Sequence, residues 1–284
     1  MWGCKPLSES DCVQVTTSRT VAWTAGSVAF ASGTWTHQGS AAFTMTSTGT
    51  LGVSTGGALV TAGTSLVVTN AAVTTVVNAP FNLGTGTSLS VGAGVLQLGG
   101  GSSANWAGAV SIGGGTLQFT AGTTTLASGA TVSATVGSLT VSGGTLIANN
   151  ALGSFGSVSV TVSSGELRLA VAQPAFSPAV TVSGGQVTVQ AASTFTSLVS
   201  MSGGTLALAV AGSAATTTLG SGTTGGLSMT AGSVSVSASN TLSIPSGTTT
   251  CSMTGGSVTV SAGGVFHSSN ACGFTGSSLL GSGS

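Results

Sequence analysis

Very few side chains in this sequence can do acid–base, metal or nucleophilic chemistry. The charged ones are Lys5, Glu9, Asp11, Arg19, Glu166 and Arg168, joined by two histidines, His37 and His267, and four cysteines. Cleavage of a glycosidic bond needs two carboxyl groups about 5–9 Å apart, one acting as acid and the other as base or nucleophile. Beyond Arg19 the chain offers Glu166 alone, so no catalytic residue is assigned and no enzymatic activity is expected. Glu166 and Arg168 are two positions apart; on a strand they share a face, where an exposed ion pair is worth under about 1 kcal/mol. The two histidines stand in opposite end regions and no Asp-bearing calcium repeat occurs, so neither a metal site nor a cofactor is predicted.

Two short patterns imitate active-site motifs. Gly52-Val53-Ser54-Thr55-Gly56 has the form of a nucleophile elbow, and Gly220-Ser221-Gly222-Thr223-Thr224-Gly225 that of a dinucleotide fingerprint. Both motifs work only where a strand turns into a helix, and no segment here carries an apolar stripe of helical period. With 47 Gly, 47 Ser and 46 Thr among 284 residues, such matches arise by chance. The formal net charge of zero leaves no basic footprint for nucleic acid or for an anionic membrane surface. No apolar run reaches the ~18 residues of a spanning helix. A hydrophobic content of 41% is enough for a core, and it argues against disorder, which goes with low hydrophobicity and high charge.

What must position these side chains is a repeat. A β-favouring residue, a hydroxyl residue, one or two glycines and an alternating Thr/Val/Leu run recur as SIGGGTLQF from 111, VSGGTLIA from 141, VSSGELRLA from 162, VSGGQVTV from 182, MSGGTLALA from 201, MTAGSVSVSA from 229 and MTGGSVTVSA from 253. Fainter copies begin at 23, 45 and 91. The last glycines of the phrases, from Gly26 to Gly256, give a mean period of about 23 residues, within the range of solenoid repeats. A second column keeps the same period between the phrases: Phe81, Trp106, Leu126, Phe155, Phe176, Phe195, Leu219, Ile244 and Phe266. Period-two alternation puts Val and Leu on one side of each strand and Ser and Thr on the other.

These features predict an all-β fold, a single-stranded right-handed parallel β-helix of ten or eleven coils, in which the second column forms one stacked core and the glycine corners use positive φ. A flexible linker or mucin-like stalk does not explain apolar residues held in register; an antiparallel sandwich of short strands is the competing architecture. The expected organisation is a capping segment over 1–22, a solenoid over 23–266 and a C-terminal cap or tail over 267–284.

Over residues 90 to 262 the Gly-Gly-Thr-Leu phrase resembles the passenger repeats of bacterial autotransporter adhesins. The resemblance implies a β-helix on a secreted or surface protein. The sequence departs from that family in lacking Tyr, nearly all charge and a membrane barrel, so secretion by a translocator of its own is not expected.

Cys4, Cys12, Cys251 and Cys272 lie near the two ends, an even count that favours disulfides and an oxidising compartment. Cys251 and Cys272 are close to one period apart, so stacked coils can bridge them; Cys4 and Cys12 can close a small loop. Free buried thiols and bridges between subunits are the alternatives. No Asn-x-Ser/Thr sequon occurs, while outward Ser and Thr leave O-linked glycans as partners. Alternating Thr44, Thr46 and Thr48, and the triplets at 123–125, 216–218 and 248–250, supply hydroxyl and methyl ranks of the kind ice-binding solenoids use. The functional expectation is a non-enzymatic structural protein, extracellular or on a cell or particle surface, forming homo-oligomers or polymers through its coil edges. An adhesin-like module for a glycan or ice is the second expectation.

Overall fold

Hydroxyl and β-branched residues alternating at every second position favour strands, and glycine pairs interrupt those strands every few residues. The outcome, in a computed structural model, is a parallel β-solenoid without helix among the described residues. Those residues are 80–99, 103–152, 154–155, 158–210, 214–221, 223–247 and 250–281, preceded by the strands 15–17, 21–23, 28–30, 34–38, 43–45, 50–53, 58–62, 65–68 and 74–78.

Three faces form each turn. Thr116–Phe119, Ser138–Val141, Ser159–Val162 and Ala179–Val182 stack on the first; Thr123–Leu126, Thr145–Ala148, Glu166–Leu169 and Gln186–Val189 on the second. The third face is a seven-stranded sheet that ends with Ser154–Phe155, followed by a five-stranded one that begins with Gln173–Phe176. All pairing is parallel, and one turn takes about 21 residues. The expected mean of about 23 averages tight turns with wider ones: Thr116 meets Ser138 22 residues on, whereas Thr205 meets Ser233 28 residues on.

Inward positions are filled by Leu139, Val160, Val180, Val199 and Leu227 in one column and Val141, Val162, Val182, Met201, Met229 and Met253 in the next, all buried. Fully burying each such side chain stabilises by roughly 1.5–3 kcal/mol, and no single turn can do it alone, because its walls are the turns above and below.

Seven members of the second column expected from the sequence are buried, but the column is not one stack. Phe81, Trp106 and Leu126 belong to the second face, while Phe176, Phe195, Leu219 and Ile244 line the later part of the third. Phe155 pairs with Ala134 in the earlier part, and its side chain lies outside the described residues. Phe266 is only partly buried and pairs with Leu242, two positions before Ile244. The ring contacts follow this division. Trp106 packs between Phe81 at 5.6 Å and Phe119 at 5.7 Å, its indole N–H donating to the Phe81 carbonyl at 2.6 Å, while Phe176 meets Phe195 edge-on at 5.2 Å. A shared period cannot distinguish faces, because every face repeats with the same period.

The segments expected as caps also carry turns of the coil. Among the described residues, pairing runs from Val15–Thr17 against Trp35–His37 to Ser278–Gly281 against Ser257–Val260.

The corner between first and second faces explains the Gly phrase differently from the expectation. Gly204, Gly232 and Gly256 do have positive φ, but Gly144, Gly165 and Gly185 do not. A Cβ on Gly185 would sit on the carbonyl oxygen of Gly165 and 2.7 Å from Val162 Cγ1. That carbonyl accepts from the Gln186 N–H at 2.8 Å, and the bond recurs one turn earlier from Glu166 to Gly144 and one turn later from Thr205 to Gly185. Close approach between turns, more than φ, requires the glycine. Gly185→Ala is therefore expected to cost about 1–3 kcal/mol, measured as a shift in denaturant midpoint. Gly129→Ala, where a Cβ meets nothing within 4 Å, is expected to move stability by no more than about 0.5 kcal/mol.

Candidate functional site

The surface is built from the outward half of the same alternation. On the first face Thr140, Thr161, Thr181, Ser200, Ser228 and Ser252 stack in successive turns, a hydroxyl rank with the strand spacing of about 4.8 Å. The Thr triplets singled out in the sequence behave otherwise. Thr124 and Thr217, the middle members of two of them, point inward and are buried, so a triplet presents two threonines rather than a row of three. The side chain of Thr44 and the residues Thr46, Thr48, Thr248 and Thr249 lie outside the described residues. The rank could have been found by aligning the residue three positions before each glycine pair across turns instead of searching for runs within one turn.

Charge is confined to one spot among the described residues. Arg168 faces Glu166 in a two-pronged pair, Nη2 to Oε2 at 2.8 Å and Nε to Oε1 at 3.1 Å. Thr188 of the next turn donates to Glu166 Oε1 at 2.7 Å, and Gln186 Nε2 donates to the Thr188 hydroxyl at 2.8 Å. The pair is thus fastened across two turns. Partial burial pushes the Glu166 carboxyl upward, but hydrogen bonds from Arg168 and Thr188 and the Arg168 charge outweigh it and hold the group below its ordinary value. A shallow polar groove along the glycine corner passes beside this cluster, lined by Gly144, Gly165, Gly185, Thr145, Gln186 and Thr205.

Other candidates are placed as follows. His267 is exposed on the third face, and no three His, Cys, Asp or Glu side chains gather among the described residues. Gly220 and Gly225 have positive φ and precede the strand Gly226–Val236, without the helix a dinucleotide would need among the described residues, while Gly222 lies outside them. Gly52 and Val53 end a strand, and the rest of that pattern lies outside the described residues, as do Cys4 and Cys12. Cys251 and Cys272 are joined, with Cα atoms 4.6 Å apart and 21 residues between them in sequence. No helix among the described residues is long and apolar enough to cross a membrane.

Sequence reasoning missed an internal polar ladder at the corner leading onto the third face. Gln173, 1% exposed, accepts from the Leu152 N–H at 2.7 Å and donates to the carbonyls of Asn150 and Val171. Asn150 Nδ2 donates to the Ala130 carbonyl at 2.8 Å one turn below, and the Ser193 hydroxyl accepts from the Gln173 N–H at 3.3 Å one turn above. Asn240 repeats the device, donating to the carbonyls of Val210 and Ala238. These side chains satisfy backbone groups that a wide corner leaves without a ladder partner. Gln173 sits where the third face passes from its first sheet to its second.

No protein-family model, curated protein or solved structure matches the chain. The geometry offers extended ranks of neutral hydroxyls and one neutralised ion pair among the described residues.

Two outcomes are expected from these contacts. Gln173→Leu orphans a buried N–H and two carbonyls, and unfolding in denaturant should show a loss of about 3 kcal/mol. The lowered Glu166 value stabilises the fold above the ordinary carboxylate range and ceases to do so as pH falls through it. The difference in stability between the wild type and Glu166→Gln, under about 1 kcal/mol near neutrality, should therefore shrink as the pH is lowered below the ordinary carboxylate range.

Proposed function

We propose that this chain is a non-enzymatic structural protein of a cell or particle surface, which self-associates through its coil edges. One observation carries this reading. In the last described turn Phe274 and Leu279 occupy core positions, paired with the fully buried Met253 and Val258, yet they are 44% and 56% exposed. The outer edge of Ser278–Gly281 has backbone groups turned toward a further strand. A second copy stacked in the same sense would cover Phe274, Leu279 and that edge. No charged residue follows Arg168, so nothing at this edge repels it. The likeness to passenger repeats and the Cys251–Cys272 bridge both suit an extracellular setting, and O-linked glycans on outward Ser and Thr suit it too.

The second reading, an adhesin-like module for a glycan or ice, is favoured by the hydroxyl rank from Thr140 to Ser252, which has a fixed repeat and almost no neighbouring charge. Its partner would be an ordered surface, not a small ligand.

Negative-stain microscopy of the purified chain tests the first reading. Filaments are expected for the wild type and single short particles for Phe274→Lys/Leu279→Lys; a wild type that stays monomeric at high concentration refutes it. Thermal hysteresis, and its loss in Thr161→Arg, is the corresponding test of ice binding.

A further inference from the structure

On the second face the ladder is interrupted where the repeat phrase gives way. The strands Phe81–Leu83 and Ser103–Trp106 are in register only at Leu83 and Trp106. The Leu83 carbonyl accepts from the Ala107 N–H at 2.8 Å, and the same ladder carried two residues back would send the Asn105 N–H to the Phe81 carbonyl. Side chains replace that bond at both ends. Trp106 is fully buried against Phe81 and Phe119, so its indole N–H needs an acceptor and takes the Phe81 carbonyl at 2.6 Å. The Asn105 N–H donates instead to Asn82 Oδ1 at 2.8 Å. Over this place lies an open hollow of about 470 Å³, a volume in the range of small-ligand sites. Asn82, Asn105, Asn149, Thr125 and Ser128 line it together with two alanines, and no charged side chain does.

Most amides of this chain that can be followed are spent on the fold: Asn150, Gln173 and Asn240 are buried and donate to backbone carbonyls, and Asn82 holds the Asn105 N–H. The side chains of Asn105, Asn149, Thr125 and Ser128, in contrast, make no hydrogen bond with a described residue, although they meet around one hollow. Each primary amide there presents two donors and an acceptor, and each hydroxyl one donor and two lone pairs. We infer that the hollow binds the end of a neutral glycan. Adjacent sugar hydroxyls donate and accept in the same way as these groups, and without a charged lining nothing selects a carboxylate, sulfate or phosphate. A peptide would need an open strand edge or an apolar pocket, and both strands here are already paired on each side, Phe81–Leu83 with Ala58–Ala62 and Ser103–Trp106 with Thr123–Leu126. Asn105 stands on a strand and Asn149 directly follows the strand Thr145–Ala148, so the amides are held by the stacked coil. In naming a glycan this inference rests on the adhesin-like reading; the site lies on a different face from the hydroxyl rank and takes one chain end, not an ordered surface.

The test is an array of immobilised neutral oligosaccharides, built on glucose, galactose and N-acetylglucosamine, beside their sialylated and sulfated counterparts. The full-length wild type, Asn105→Ala/Asn149→Ala and Thr161→Arg are applied over a concentration series. Neither asparagine side chain bonds to the fold, so the double variant is expected to keep the wild-type denaturant midpoint, which is measured alongside. The wild type and Thr161→Arg are expected to bind neutral glycans alike, and half-saturation of the double variant is expected to need about tenfold more protein, the effect of losing one or two neutral hydrogen bonds. Three results overturn the site. Binding that survives in the double variant but is lost in Thr161→Arg moves the glycan to the hydroxyl rank and leaves the adhesin-like reading standing. Binding confined to the sialylated or sulfated glycans refutes a neutral ligand. A wild type that binds nothing on the array removes the site and the glycan reading together.

Discussion

The structure depends on one constraint, that each turn must lie in register on the turn before it. Backbone groups on all three faces hydrogen-bond to the adjacent turn, and inward side chains stack on their counterparts above and below. Stability is then a sum of neighbour terms, as in other solenoids. The corner glycines belong to the same constraint. At Gly144, Gly165 and Gly185 the carbonyl of one turn receives the amide of the next across a gap that has no space for a methyl group.

In-register stacking also decides what the surface offers. Identical outward positions line up, so a residue type repeated in the phrase becomes a rank, as in Thr140, Thr161 and Thr181. An array of that kind suits extended, repetitive contacts: another copy of the chain, or an ordered surface. Catalysis asks for unlike groups converging on one point, and a regular coil provides this only where a turn departs from the phrase. Glu166 and Arg168 are such a departure, yet they satisfy each other and Thr188.

Much of the architecture was legible in the residues. Period-two alternation identified strands, the Gly phrase marked the turn, and the separation of Cys251 from Cys272 anticipated a bridge between stacked coils. The aromatic column was legible only as a period. Trp106 and Leu126 follow one another on the second face, but the spacing from Leu126 through Phe155 to Phe176 crosses onto the third, where corners of different length change the face without breaking the count. Gln173 and Asn150 gave no signal, since a buried amide in a corner looks like any polar loop residue until the carbonyls around it are located.

By itself, the sequence determined the strands, the parallel stacking and the length of a turn, because which way a side chain points on a strand is a local property and the repeat carries it from turn to turn. Tertiary structure alone decided which columns share a face, why the corner glycines cannot be replaced, and where buried amides are needed. Those outcomes depend on how much chain each corner consumes, which varies from turn to turn and is fixed only once the coils are laid on one another.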